Sequence, residues 1–140
     1  MANASDLSSL KAGDAMPVMV AGPVTPLTLA LFAGGSGDHN PIHVDKDFAA
    51  SAGFPDVFAH GMLSMAWLGR AVTNWAGPTA VKQFGVRFAA ITPVGASVAC
   101  TGQVEEVLER DGERLARLTL QATVVDGPVT LLGDALIRIG

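Results

Sequence analysis

Tyrosine is missing altogether, and cysteine occurs once, as Cys100, in a chain of 140 residues. A single cysteine excludes an intrachain disulfide, and such cysteine use suits a reducing cytoplasm. Charge is scarce too: Asp, Glu, Lys and Arg make up 16% of the residues and sum to −4. No basic run breaks that balance, so the electrostatic footprint of a nucleic-acid or anionic-membrane binder is absent. Nor does any apolar run reach the length of a bilayer span, since Arg70, Thr73 and Asn74 interrupt the stretch that starts at Gly61. Met1–Leu10 lacks the basic start and apolar core of a signal peptide, and Met1 to Ser9 reads as a loose arm. No internal repeat or low-complexity tract occurs.

Apolar residues, by contrast, make up 49% of the chain. That content and length predict one extensively buried domain over residues 1–140, with apolar surface to spare for an oligomer interface.

Three helices and a sheet are legible. Thr25-Pro26 reads as an N-cap and first helical residue, with the helix running through Leu27, Leu31 and Phe32 to end at Gly34-Gly35. Asp45 to Ala52 reads as a short helix that Gly53 and Pro55 stop. From Gly61 to about Trp75 apolar residues occupy nearly every side, which predicts a helix buried all round. In so small a domain only a curling sheet could cover it. The C-terminal half alternates with period two: Phe84, Val86, Phe88 and Ala90; Val98, Cys100, Gly102 and Val104; Ala116 through Val124; then Val129, Leu131, Ala135 and Ile137. Asp111-Gly112 and Asp126-Gly127 fall between rows as hairpin turns, so the sheet is largely antiparallel. The predicted class is α+β.

The most informative run is Ser36-Gly37-Asp38-His39-Asn40-Pro41-Ile42-His43. It puts a carboxylate and an imidazole on a short segment that Gly37 and Pro41 force to turn, the arrangement that proton transfer to or from a small polar molecule needs. Further on, Ala59-His60-Gly61-Met62 opens the long helix, and its glycine leaves an amide free to meet a ligand.

A helix wrapped by a curved antiparallel sheet is the hot-dog fold, and the loop resembles the signature of the MaoC-like (R)-specific enoyl-CoA hydratases. The matching residues are Phe32, then Gly37-Asp38, Asn40-Pro41, Ile42 and His43, with Ala49 beyond, and the family's His-Gly-Met stands at His60-Gly61-Met62. Weaker likeness extends to Val86-Arg87-Phe88 and Thr92-Pro93-Val94-Gly95. The resemblance implies Asp38 and His43 as the catalytic pair and the Gly61 amide as the group that binds a thioester oxygen. It implies no cofactor, an acyl-CoA or acyl-carrier-protein substrate, and a dimer of identical or related subunits. Some family members carry a site-facing serine further along the central helix; Leu68-Gly69-Arg70 stands there here.

Hydrating a 2-enoyl thioester sets three requirements: water loses a proton as it attacks C3, C2 gains one, and charge growing on the thioester oxygen is stabilised. Imidazole titrates near neutral pH, which suits His43 to the proton step, and Asp38 is placed to hold the water and share the proton traffic. A helix N-terminus with free amides suits Gly61 to the third requirement. Asn40 and His60 complete the candidate substrate-binding set. Their plainer roles are loop bracing for Asn40 and capping or packing at the helix start for His60. Arg87 alternates off the core and is a candidate contact for a carrier phosphate, against a plain surface role.

Other signals are set aside. His39 and His43 stand four apart, but Pro41 between them opposes a shared helical face and no further ligands join them, so no metal is expected. Gly34-Gly35-Ser36-Gly37 lacks the spacing of a nucleotide loop and follows a helix. Cys100 reads as inert packing. Two rival functions remain on the same fold: a thioester-binding subunit without activity, and a thioesterase.

Overall fold

A computed structural model describes residues 6–140. Helix α1 (Pro26–Ser36) opens as the sequence predicts: Thr25 Oγ1 accepts the Thr28 amide, Thr28 Oγ1 accepts the Thr25 amide, and Pro26 fills the first turn. Its end differs from the expectation at Gly34-Gly35. Both glycines stay helical, and the chain turns at Gly37, whose φ of 78° is left-handed and whose N–H donates to the Ala33 carbonyl. Glycine weakens a helix interior but does not forbid it; the left-handed cap is what ends it. A 3₁₀ turn at Pro41–His43 follows, then α2 (Lys46–Ser51), where Asp45 Oδ1 accepts the Asp47 and Phe48 amides.

The central helix α3 spans Gly61–Ala76, and a 3₁₀ turn at Pro78–Ala80 leads into the sheet. The strands are β1 (Met19–Ala21), β2 (Val81–Phe88), β3 (Val98–Arg110), β4 (Glu113–Val124) and β5 (Val129–Arg138), in the order β1-β3-β4-β5-β2, with every neighbouring pair antiparallel. The expected rows line the inner face: Leu118 stands opposite Val104 and Ala135, and Leu120 opposite Gly102 and Gly133. Thr119 and Gln121 alternate to the outer face, exposed. Asp111 and Gly112, at φ 53° and 77°, close the β3–β4 hairpin. The three-residue β1, which pairs with β3 through Met19 and Cys100, has too little alternation to be seen in the sequence.

Helix α3 crosses the inner face and touches β2, β3, β4 and β5, so the domain is a hot-dog. Leu63, Ser64, Trp67, Leu68, Ala71 and Val72 are its buried residues. It is not buried all round, however. Gly61, Met62, Ala66 and Arg70 form an exposed stripe, Met62 at 54%, because the sheet curls over one flank of the helix and leaves the other open within a single chain.

The loose arm also needs correction. Leu7–Ser9 is a 3₁₀ turn capped by Asp6; Leu7 and Leu10 pack on the core, and Arg114 donates to the Ser8 carbonyl. The first five residues lie outside those described.

Candidate active site

The loop from α1 to the 3₁₀ turn is held by side chains that bond to nearby main chain. Ser36 Oγ accepts the Asp38 amide at 3.2 Å, Asp38 Oδ1 accepts the Asn40 amide at 3.2 Å, and Asn40 Oδ1 accepts the Ile42 amide at 3.1 Å. These are Asx-type turns, which explain why short polar residues alternate here. Asn40 therefore braces the loop, as its plainer reading had it.

The loop delivers His43 into the core, 8% exposed, while Asp38 stays open to solvent. His43 Nδ1 lies 2.8 Å from the Phe58 carbonyl. A carbonyl only accepts, so Nδ1 carries the hydrogen and Nε2 keeps a free lone pair, the tautomer a base requires. Phe58 also meets the His43 ring edge-on, with centroids 5.2 Å apart.

Behind His43 lies His60, 1% exposed, with ring centroids 3.8 Å apart and planes 26° from parallel. Its Nε2 donates to the main-chain carbonyl of Asp38 at 3.2 Å, and Phe32 packs on it at 4.8 Å. Burial is the main cause that lowers the His60 pKa; the Asp38 carbonyl bond opposes it, and the neighbouring His43 reinforces it. Asp38, His43 and His60 each bring a potential ligand atom within 4.8 Å of the others. The geometry suits a metal poorly: nearly parallel stacked rings send their in-plane lone pairs side by side rather than toward one point.

Helix α3 starts directly after His60 with no side-chain cap. Gly61 is exposed, and a Cβ there would lie 2.8 Å from two ring carbons of Phe88. Phe88, though on the inner row, is 52% exposed, because it projects past the sheet's end over the helix start. Beside it opens a cavity of about 360 Å³ lined by Phe58, Gly61, Ser64, Phe88, Ile91 and Thr92, among others. Neither Asp38 nor His43 lines it; the pair and the cavity adjoin through the segment from Phe58 to Gly61.

Asp38, His43 and His60, which Gly61 follows directly at the helix start, are thus brought together. Arg87 is not: it stands on the outer face of β2, opposite Leu132, while α3 lies on the inner face. His39 is exposed, and Cys100 is buried with its thiol pushed up to about 11 by burial. In the stretch Leu68-Gly69-Arg70, a Cβ on Gly69 would lie in ordinary contact with the Phe84 ring. Sequence reasoning missed the buried hydroxyls at the cavity, Ser64 with its Oγ 3.3 Å from Thr92 Oγ1, and Thr130, which donates to the Ala122 carbonyl. The signal for Ser64 was a lone hydroxyl on a helix face otherwise apolar.

Comparison with known proteins places these features in a family. The chain is 32% identical over 136 residues to enoyl-CoA hydratase ChsH3 of Mycobacterium tuberculosis, covering 95% of this chain and 44% of that protein. It is 37% identical over 107 residues to 3-hydroxyacyl-thioester dehydratase Z of the same organism, covering 72% of this chain and 68% of the relative. The chain thus spans less than half the length of ChsH3. Among solved structures, R-hydratase PhaJ1 of Pseudomonas aeruginosa in its unliganded form superposes with a TM-score of 0.82 at 28% identity, over 94% of this chain and 83% of that one. Residues 11–126, which hold the braced loop, both histidines and the whole of α3, match the model of the MaoC like domain, and the chain belongs to that family.

Proposed function

We propose that this chain catalyses the reversible hydration of a trans-2-enoyl thioester to the (3R)-3-hydroxyacyl thioester. The observation that carries the reading is a buried imidazole whose Nδ1–H is committed to a carbonyl, which leaves Nε2 free, and which clusters with an exposed carboxylate, one ligand atom of each lying within 4.8 Å of the other. In this reading His43 Nε2 takes a proton from water and Asp38 accepts the water's other hydrogen bond. The oxygen adds to C3, the thioester becomes an enolate, and the proton held on His43 passes to C2. The Gly61 amide, at the positive end of α3, bonds the enolate oxygen, a contribution typically worth about 100–1000-fold in rate. Dehydration uses the same atoms in reverse. The cavity beside Gly61 gives the thioester a route to that amide.

A second copy, or a related subunit, is proposed to extend the sheet at β2. Among the described residues that strand pairs only with β5, and Phe88 and Ile91 beside it, like Met62 on α3, are exposed. Arg87 stands on that edge strand, where it is proposed to meet a phosphate of the carrier bound at the joined site. The carrier is coenzyme A or a carrier protein. No helix of the described residues is long and apolar enough to cross a membrane, and the lone cysteine supports a reducing cytoplasm as the compartment.

The test is loss of the conjugated thioester absorbance with crotonyl-CoA, longer enoyl-CoAs and an enoyl-carrier protein, while free thiol is followed in parallel. We expect hydration without thiol release. Asp38→Asn and His43→Gln should each lower kcat by about 10²–10⁴-fold with the circular dichroism of the fold unchanged. Normal turnover in either variant removes the pair from the mechanism, and thiol release instead of hydration identifies a thioesterase.

A further inference from the structure

We propose that His60 is a positioning residue for the Asp38–His43 pair: a buried, neutral imidazole that fastens the Asp38 main chain with one edge and supports the His43 ring with one face. The inference rests on the hydratase reading above and replaces the substrate contact first expected of His60, since a ring 1% exposed has no surface to offer a substrate.

One side chain touches both halves of the site. Its Nε2–H reaches the Asp38 carbonyl across 22 residues of sequence, and its face lies 3.8 Å from the His43 ring. Phe32 closes the site around it. Its other nitrogen, Nδ1, is buried and has no hydrogen-bond partner among the described residues. A proton there would create a buried charge with nothing to accept it. The titratable groups facing His60 are Asp38 from the loop and His43 from the 3₁₀ turn, while α1 presents only Phe32.

The arrangement matches what the reaction asks for. When His43 holds a proton, a neutral ring stacked on it offers its π face to the cation, whereas a second cation would repel it. The carbonyl bond meanwhile keeps the loop that bears the carboxylate from drifting, and an error of about 1 Å in such a group can cost about 10²-fold in rate. A phenylalanine would fill the space and stack equally well; only a side chain with an N–H also satisfies the Asp38 carbonyl.

That difference defines the experiment. His60→Phe keeps the stack and removes the donor, while His60→Gln keeps an N–H close to the Nε2 position. Both are made in the full chain and assayed with the enoyl-CoA the wild type hydrates best, with kcat and KM resolved and melting followed by circular dichroism. We expect His60→Phe to lose about 10–100-fold in kcat with KM little changed, and His60→Gln to recover part of that loss. Wild-type kcat in His60→Phe, a loss carried by KM, or a loss that merely tracks the unfolded fraction would overturn the proposal. A second arm needs no turnover and no variant. In imidazole ¹⁵N–¹H correlation spectra of the wild type, His60 should remain the neutral Nε2–H tautomer as the pH is lowered through the ordinary histidine range. Protonation of His60 within that range would overturn it. If the wild type hydrates no enoyl thioester, that result counts against the hydratase reading, and the spectra still decide the part of His60.

Discussion

Gly61 carries the tightest steric constraint at the site. A methyl group there would meet two Phe88 ring carbons at 2.8 Å, and Phe88 is exposed enough to swing aside. Gly61→Ala should therefore cost about 1 kcal/mol, the low end for overpacking, and, by shielding the amide, about 10²-fold in hydration rate. Adding Phe88→Leu should bring the melting temperature back toward wild type without restoring the rate. If stability and rate return together, the glycine serves packing alone and the amide has no part in catalysis. Residues of this kind were readable where their constraints are local. Asp38, Asn40 and His43 announce themselves because the loop is braced by bonds between residues two apart. The Phe58 carbonyl that orients His43 left no trace, because a main-chain group has no letter of its own. The tie from His60 to Asp38 was equally silent, since it closes only when α3 docks beside the loop. Arg87 was legible only as far as its face: alternation tells which side of a strand a residue takes, not which side a bound carrier occupies.

Among the elements, α1 shows how a helix end can position chemistry. Gly37 takes a left-handed φ of 78° one residue before Asp38, and no atom lies within 4 Å of a Cβ built there. Gly37→Ala should thus cost about 1–2 kcal/mol through backbone conformation alone. The urea midpoint should fall at an unchanged m-value. Because the strained residue adjoins the carboxylate, kcat should drop by more than it does in a variant of equal stability loss elsewhere, such as a truncated core leucine. Equal drops would mean that the cap sets stability only. The period-two rows were legible from β2 to β5 because one buried face imposes one register. Helix α3 was legible in length but not in coverage: a wholly apolar face predicts cover without saying whether the same chain supplies it, and Met62 stays open here.

At the scale of the whole molecule, the buried imidazole couples folding to acidity. Burial holds the His60 pKa below its ordinary value, so between the folded and unfolded pKa values the unfolded chain binds the extra proton. Stability is then fully present above the ordinary histidine range and falls as pH drops through it. Melting temperature should decline on acidification from about pH 7 to about pH 5, and the decline should be shallower in His60→Phe. Parallel curves for the two proteins would show that His60 is free to ionise in the fold. Glu113, whose carboxyl is held below its usual range chiefly by its bond to Lys82, contributes in the same direction only at lower pH and equally in both proteins.

The bond from His43 to the Phe58 carbonyl has a consequence for how this scaffold could change. No replacement of the Phe58 side chain deletes that acceptor, because it belongs to the peptide itself. The Phe58 ring itself packs edge-on on His43, so the part of the cavity wall open to recutting for longer, branched or bulkier acyl groups is at residues 64 and 91, while the carbonyl that aims the imidazole is inherited by every variant that keeps its backbone path. Selectivity and reactivity are written in separate parts of the same wall, so the first can be rewritten without disturbing the second.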